Sequence, residues 1–334
     1  MDREFHYYIT YLIAARAGFD HGDAGIIAKS CQAADENTRI YNVYEDDRLT
    51  YFNYVSQTAD LLRPRYSRMR IYPVFHFIPG DTGHPGARRK DGRTHPLNTT
   101  PDSPLANKCM DDALETGNLY EIGIACHAFA DTWAHQNFVG YKHDFNDFGG
   151  FLGSLIPSIG HADARHEPDW PAHIWEDPRL ISKNRRINNK KRFLAAASRL
   201  FEKLAEFKNH SHAEKNKEDL CRDLGLAIGR ADMDSMNRGK SGRQERYRLM
   251  AEYREYGGAP IPDFYLSSWR SECLRHAPQQ NKYYWRDRRN FTESSWYLFQ
   301  EAVKKYQKRV LDLYKNTAYA ELPEDLTNKV LEFS

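Results

Sequence analysis

The segment from Ile124 to Phe138, IACHAFADTWAHQNF, constrains this chain more than any other. Read as a helix at about 100° per residue, it places His127, Asp131 and His135 at i, i+4 and i+8, on one face. At about 1.5 Å of rise per residue the two histidines stand roughly 12 Å apart, too far to share one metal ion. Asp131 lies about 6 Å along the axis from each, and a carboxylate has two oxygens with which to bridge. The spacing predicts two metals, with His127 on one, His135 on the other and Asp131 between or beside them. Metal pairs about 3.5–4 Å apart are a common device for cleaving phosphate esters. The competing reading is a structural polar cluster. An aspartate buried among Ile, Ala, Phe and Trp is costly unless it is paired, and metal coordination is one remedy.

The chain has 334 residues, enough for one large domain or two ordinary ones. Charged residues make up 28% and the mean hydropathy is −0.78, which reads as a soluble protein. Lys plus Arg number 48 against 46 Asp plus Glu, so global charge argues neither for nucleic acid nor for an acidic membrane. No apolar run of about 18 residues predicts a transmembrane helix. Asp2, Arg3, Glu4 and His6 interrupt the start, where a secretory signal needs an apolar core, so the expected location is cytoplasmic. Cys31, Cys109, Cys126, Cys221 and Cys273 are odd in number and form no CxxC, as expected for reduced thiols.

Along the chain, Asp2 can cap a first helix ending at Ala17 before Gly18, and Asp23 a second over 24–34. Residues 38–75 suit a short hairpin or extended chain. Residues 79–104 hold five Pro and four Gly and read as a long loop. Helices are predicted at 104–116 and 118–138, then irregular chain over 139–180. Amphipathic helices follow at 188–208, 214–230, 241–256 and 293–317, with a short one at 323–332. The fold class is therefore mainly α: a multi-helical metal-binding core over 1–180 with long irregular loops. A helical C-terminal region over 181–334 is expected to pack on that core as one domain.

Further metal-competent residues gather in the first half: His6, Asp35, His76 in the apolar frame YPVFHFIPG, and His161 and His166 with Asp163 and Asp169 beside them. His with Asp suits Zn²⁺ best, with Mn²⁺ or Fe²⁺ as second choices. The dipeptide His143-Asp144 occurs in HD-type phosphohydrolases, but here it falls in a loop.

In chain order the set is His, Asp, His, HxxxD, His, His. This order resembles the zinc-dependent phospholipase C superfamily, which includes the fungal single-strand nucleases, mainly α proteins that bind three zinc ions. The resemblance implies that Asp35, His76, His127 and Asp131 form one metal site and that His135 and His161 belong to a second. It matches His6 to the family's N-terminal histidine, beside which the terminal α-amine, here Met1, is also a ligand. The chain departs from the pattern in three places. Met stands where the family has Trp, the interval from Asp131 to His135 is shorter, and Arg165 occupies the position of the acid that follows His161. Asp163, His166 or Asp169 must replace that acid. The resemblance covers roughly residues 1–170. The chain is also similar to a bacterial family of unassigned activity with the same FHYY, ADTWAHQ and GHA segments.

The reading that follows is a metal-dependent phosphoesterase with two or three zinc ions, in which Asp131 bridges and Asp35 accepts a proton. Arginines from the 79–104 loop (Arg88, Arg89, Arg93) or Arg165 are candidates to hold the phosphate. The rival readings are a non-catalytic protein with structural zinc and an HD-type nucleotide phosphohydrolase. Among substrates, a nucleic acid or nucleotide phosphodiester is preferred to lipid. Aromatic residues for stacking are plentiful near the ligands: Tyr72, Phe75, Trp133, Phe138, Tyr141, Phe145, Phe148, Phe151, Trp170 and Trp175. No amphipathic terminal helix suggests a lipid surface.

Overall fold

The computed structural model describes residues 1–58, 65–148, 160–161, 164–233, 238–320, 322 and 324–331. The chain is mainly α. A π-helical turn, Glu4–Ile9, runs into α1 (Thr10–Arg16), and α2 follows (His21–Glu36). A hairpin of β1 (Asn42–Glu45) and β2 (Arg48–Phe52) leads to two short helices, α3 (Arg65–Met69) and α4 (Tyr72–Phe75). Then come α5 (Pro104–Glu115) and α6 (Leu119–Ala134). Beyond a mostly irregular stretch lie β3 (Ile174–Glu176), α7 (Ser182–Arg185) and β4 (Arg186–Asn188). The remaining elements are α8 (Asn189–Phe207), α9 (Ala213–Ile228), α10 (Lys240–Ala251), α11 (Leu266–Cys273), β5 (Leu274–Ala277), β6 (Lys282–Trp285), α12 (Ser295–Lys315) and α13 (Glu324–Leu331). Among the described residues no helix is long and apolar enough to cross a membrane.

Local chemistry explains most boundaries. Asp2 Oδ1 accepts the Glu4 N–H at 2.9 Å, and Gly18, at φ +98°, ends the first helix. The second helix starts earlier than expected. Asp20, not Asp23, is its cap, and it accepts the N–H of Asp23 at 2.8 Å. The expected hairpin forms because Asp46 and Asp47 both take positive φ, as a tight two-residue turn demands. Helix α6 stops at Ala134, short of the expected 138. The chain there leaves to pair with the preceding loop: Asn137 N–H donates to the Thr99 carbonyl, and Thr99 N–H to the Phe138 carbonyl.

Helix α6 is buried from Glu121 to Ala134, which suits its apolar residues on every side. It packs against α2, α4, α5, α8 and α12. The sheet has the order β2-β1-β6-β5, with Val43 of β1 facing Tyr283 of β6 in parallel, so the C-terminal half closes over the N-terminal hairpin. One apolar cluster takes in residues from Met1 to Val330. A smaller one, including Phe77, Phe138 and Trp175, lies under the irregular segment.

The close approach of α2 and α6 rests on Gly123. A Cβ there would overlap the Ile27 carbonyl oxygen and the Ser30 side chain. Gly123→Ala is expected to destabilise the fold by about 1–3 kcal/mol through overpacking, read as a lower midpoint in chemical denaturation. An unchanged midpoint would show that the two helices can separate at no cost.

Candidate metal centre

Three groups of donors meet at the ends of these elements. The last turn of α2 supplies Asp35, the middle of α6 supplies His127 and Asp131, and His76 caps α4. Asp35 Oδ1 lies 3.7 Å from both His76 Nδ1 and His127 Nε2. Asp131 Oδ2 lies 3.3 Å from the same two nitrogens, which are 3.0 Å from each other. His76 Nε2–H donates to the Ser56 carbonyl at 2.9 Å, so in the neutral ring Nδ1 carries the lone pair that faces the group.

The second group is His135, His161 and Asp169. His135 Nε2 is 3.6 Å from Asp169 Oδ1, and His161 Nε2 is 3.7 Å from Asp169 Oδ2. Both rings donate their Nδ1–H to backbone carbonyls at 2.7 Å, His135 to His76 and His161 to Arg165. Each therefore turns Nε2 inward as an acceptor. Arg165 reaches its position with φ +51°, and the Phe77 ring stacks on His135 at 4.4 Å.

The third group lies on the other oxygen of Asp131. The Met1 amine contacts Asp131 Oδ1 and lies 3.4 Å from Asp169 Oδ1. His6 Nε2 is 3.2 Å from Asp131 Oδ1. His6 stands in the π-turn, and such turns often occur at functional sites. Met1, His6, Asp35, His76, His127, Asp131, His135, His161 and Asp169 are thus brought together, with Asp131 shared by the first and third groups and Asp169 serving the second.

Some expectations are corrected. His135 is not on the helix but caps it, although its N–H still bonds the Asp131 carbonyl at 2.8 Å. Of the residues expected to replace the acid after His161, Asp169 lies 3.7 Å from the His161 ring, and His166 sits at the rim with its side chain 77% exposed. Asp163 lies outside the described residues. Arg89 is bound to Asp91 and the Phe145 carbonyl, and Arg93 to Asp144, so neither guanidinium is directed at the cluster. Arg165 contributes its backbone carbonyl. His143 and Asp144 pair with each other at 2.9 Å in a half-open turn and belong to none of the three groups.

Electrostatics follow from this crowding. Burial alone would raise the Asp131 carboxyl, but His135, the Met1 ammonium, His127 and His6 hold it well below the carboxylate range. Asp169 is likewise low, with burial outweighed by His161 and the Met1 ammonium. Asp35 is lowered because His127, His6 and His76 outweigh its burial. The Met1 amine, despite burial, is pushed up to about 11 by Asp131, Asp169 and Asp35. Burial and the neighbouring His127 push His6 down to about 4, against the pull of Asp131. Burial lowers His135, whereas in His127 it is outweighed by Asp131 and Asp35.

The donors fit divalent zinc. They are imidazole nitrogens and carboxylate oxygens, and backbone carbonyls orient His76, His135 and His161 as in metal sites. His6 Nε2 and Asp169 Oδ1 are buried without a hydrogen-bond partner among the described residues. Cys31 lies 3.6 Å from His6 Nδ1, but burial keeps its thiol well above the ordinary range, which suits packing better than ligation.

Sequence reasoning missed Asn189, at the start of α8. Its side chain is fully buried. Nδ2 donates to the carbonyls of Glu167 (2.5 Å) and Trp170 (2.9 Å), and Oδ1 accepts from Trp175 Nε1 at 2.9 Å. These bonds hold the turn that carries Asp169. Asparagine before a helix is usual at a cap, so the sequence offers no signal for this role. Asn189→Ala is expected to weaken cation binding at His135, His161 and Asp169 by about 10–100-fold while sparing the group around His127. Zinc titration against a competing chelator reads this directly. Lower thermal stability with every zinc equivalent retained at full affinity would make Asn189 a purely structural residue.

No curated protein and no solved structure matches the chain. One protein family, described as a family of unknown function (DUF6765), matches residues 1–314, which takes in the whole donor cluster and the helices from α1 to α11 together with most of α12. The chain belongs to the DUF6765 family.

Proposed function

We propose that this chain is a metal-dependent phosphoesterase that hydrolyses a phosphodiester, with two or three zinc ions held by the three donor groups. One observation carries the reading. Asp131 offers one oxygen to Met1 and His6 and the other to His76 and His127, while His76, His135 and His161 keep their lone pairs inward. When bound, the ions would offset charge on phosphate oxygens and lower the pKa of a water.

The chain's own part is orientation and proton transfer. Asp35 Oδ1 faces His76 and His127. Its side chain is 28% exposed against 1% for Asp131, so Asp35 Oδ2 is the carboxylate oxygen best placed to accept a proton from an incoming water. Phe77 stacks on His135 and Phe138 meets His161 edge-on, so apolar rings flank the His135–His161 side. Trp133, Phe138, Tyr141, Phe145 and Trp175 are core. Tyr72 (beside His76 and Phe77), Phe148 (stacked on Trp175) and Trp170 are partly exposed, while Phe151 lies outside the described residues. That supply supports a nucleotide or single-stranded nucleic acid over lipid.

The test is elemental analysis of zinc-loaded protein, with bis-p-nitrophenyl phosphate, single-stranded DNA, RNA and a phosphatidylcholine emulsion assayed with and without chelator. We expect two or three zinc ions per chain and chelator-sensitive cleavage of the nucleic acid and the nitrophenyl ester. Asp131→Asn should lose more than one equivalent, and His127→Ala and His135→Ala should each empty a different group. Less than one tightly held ion would sink the reading, and full loading without turnover would leave a structural zinc protein.

The Met1 amine gives a separate check. An extension that turns it into an amide removes its charge and its lone pair. N-terminally extended protein is expected to lose metal or activity, while a C-terminal tag changes neither. Equal metal content and activity in both would exclude the amine as a ligand.

A further inference from the structure

Away from the donor cluster, the end of α9 and the start of α10 enclose a cavity of about 370 Å³. Arg230, Arg238, Arg243 and Arg246 line it, with Asp232 as the one acid among its described lining residues. Arg243 is spent on Glu4, with Nε 2.8 Å from Oε2 and one terminal nitrogen 2.7 Å from Oε1. Its other terminal nitrogen donates to the Arg238 carbonyl at 2.7 Å. It forms the floor and fixes the backbone at the mouth.

Arg246 is set differently. Its Nε donates to the Ala227 carbonyl at 2.7 Å, which fixes the plane of the guanidinium. Its two terminal nitrogens make no hydrogen bond or ion pair among the described residues. A side chain on Gly242 or Gly229 would begin 3.6 or 3.8 Å from them, so these glycines keep the space beside the fork open. Arg230 and Arg238, both exposed, likewise form no ion pair among the described residues. Arg230, Arg238 and Arg246 outnumber the one described carboxylate of the lining, Asp232, so positive charge is in excess, and a fork held by its Nε is ready for two oxygens of one phosphate.

We infer that this cavity binds a small molecule through its phosphate groups, with Arg246 as the bidentate contact and Arg230 and Arg238 closing from the mouth. The volume falls at the low end of the range for small-molecule sites, about 300–1,000 Å³, and suits a diphosphate group rather than a polymer track. The ligand class is an oligophosphate or a phosphorylated metabolite. The site is independent of the phosphoesterase reading, because none of its lining residues belongs to the donor cluster.

Calorimetric titration of the full, metal-free chain with pyrophosphate, inorganic phosphate and sulfate tests this, with a single-stranded oligonucleotide as competitor. Pyrophosphate is expected to bind most tightly. Arg246→Gln, and separately Arg230→Ser with Arg238→Ser at the exposed mouth, should each weaken it by about tenfold or more. Asp131→Asn should bind it unchanged. The inference is overturned by any of four results: no pyrophosphate binding by the wild type, full affinity in the arginine variants, loss on Asp131→Asn, or displacement by the oligonucleotide at lower concentration than pyrophosphate.

Discussion

The buried carboxylate of Asp131 is the constraint around which the rest is arranged. It is 1% exposed at the centre of the molecule, where an unaccompanied charge costs several kcal/mol. The chain surrounds it with Met1 and His6 on one oxygen and His76, His127 and His135 on the other. Bringing those groups in dictates much of the architecture. The first turn must be pulled inward, α2 must lie close enough on α6 to present Asp35, and the loop after α4 must cross the end of α6. Gly123 and the π-turn are local consequences of that demand.

The local part of this plan was legible. HxxxD on a helix predicts its own geometry, so His127 and Asp131 on one face needed no tertiary knowledge, whereas the turn at Asp46 and Asp47 was left open between a hairpin and extended chain. Non-local choices were not legible. Which acid follows His161 depends on the turn at Glu167–Asp169, and that turn is held by Asn189 from α8. Helix α6 was drawn too long because its end is decided by pairing with Thr99, not by its own apolar pattern. The β1–β6 pairing joins residues that local pattern cannot connect. The π-turn escapes a reading that assumes 3.6 residues per turn.

The C-terminal half also does more than complete a core. Arg243 of α10 closes a buried pair with Glu4, two residues from His6, and Arg309 of α12 contacts Glu121 at the start of α6. With Asn189, these bonds tie the elements that carry His6, Asp169 and His127 to helices far along the chain. Removing one partner of a buried ion pair strands the other, which is far costlier than loss of a surface pair. The donor geometry is therefore a property of the whole chain, in keeping with a family match that runs to residue 314.

The tautomers bear on the choice between a polar core cluster and the proposed metal centre. In a cluster held by hydrogen bonds alone, imidazole N–H groups would point at the carboxylates. Here His76, His135 and His161 spend their protons on the carbonyls of Ser56, His76 and Arg165. The nitrogens left inside face carboxylate oxygens at 3.3–3.7 Å, acceptor against acceptor. At His76 the His127 ring can donate to the inward Nδ1 at 3.0 Å, and at His135 and His161 a cation would relieve the arrangement. A second proton on each ring is one source, but burial disfavours it at His135, and His6 is down at about 4. The raised amine of Met1 and the raised ring of His127 supply positive charge beside Asp131, and the amine also reaches Asp169 Oδ1 at 3.4 Å. Under the proposed reading a divalent ion would serve these groups together, and Met1 and His127 would have to give up their protons to bind it. Its affinity should therefore rise with pH, as expected where ligands must first lose protons.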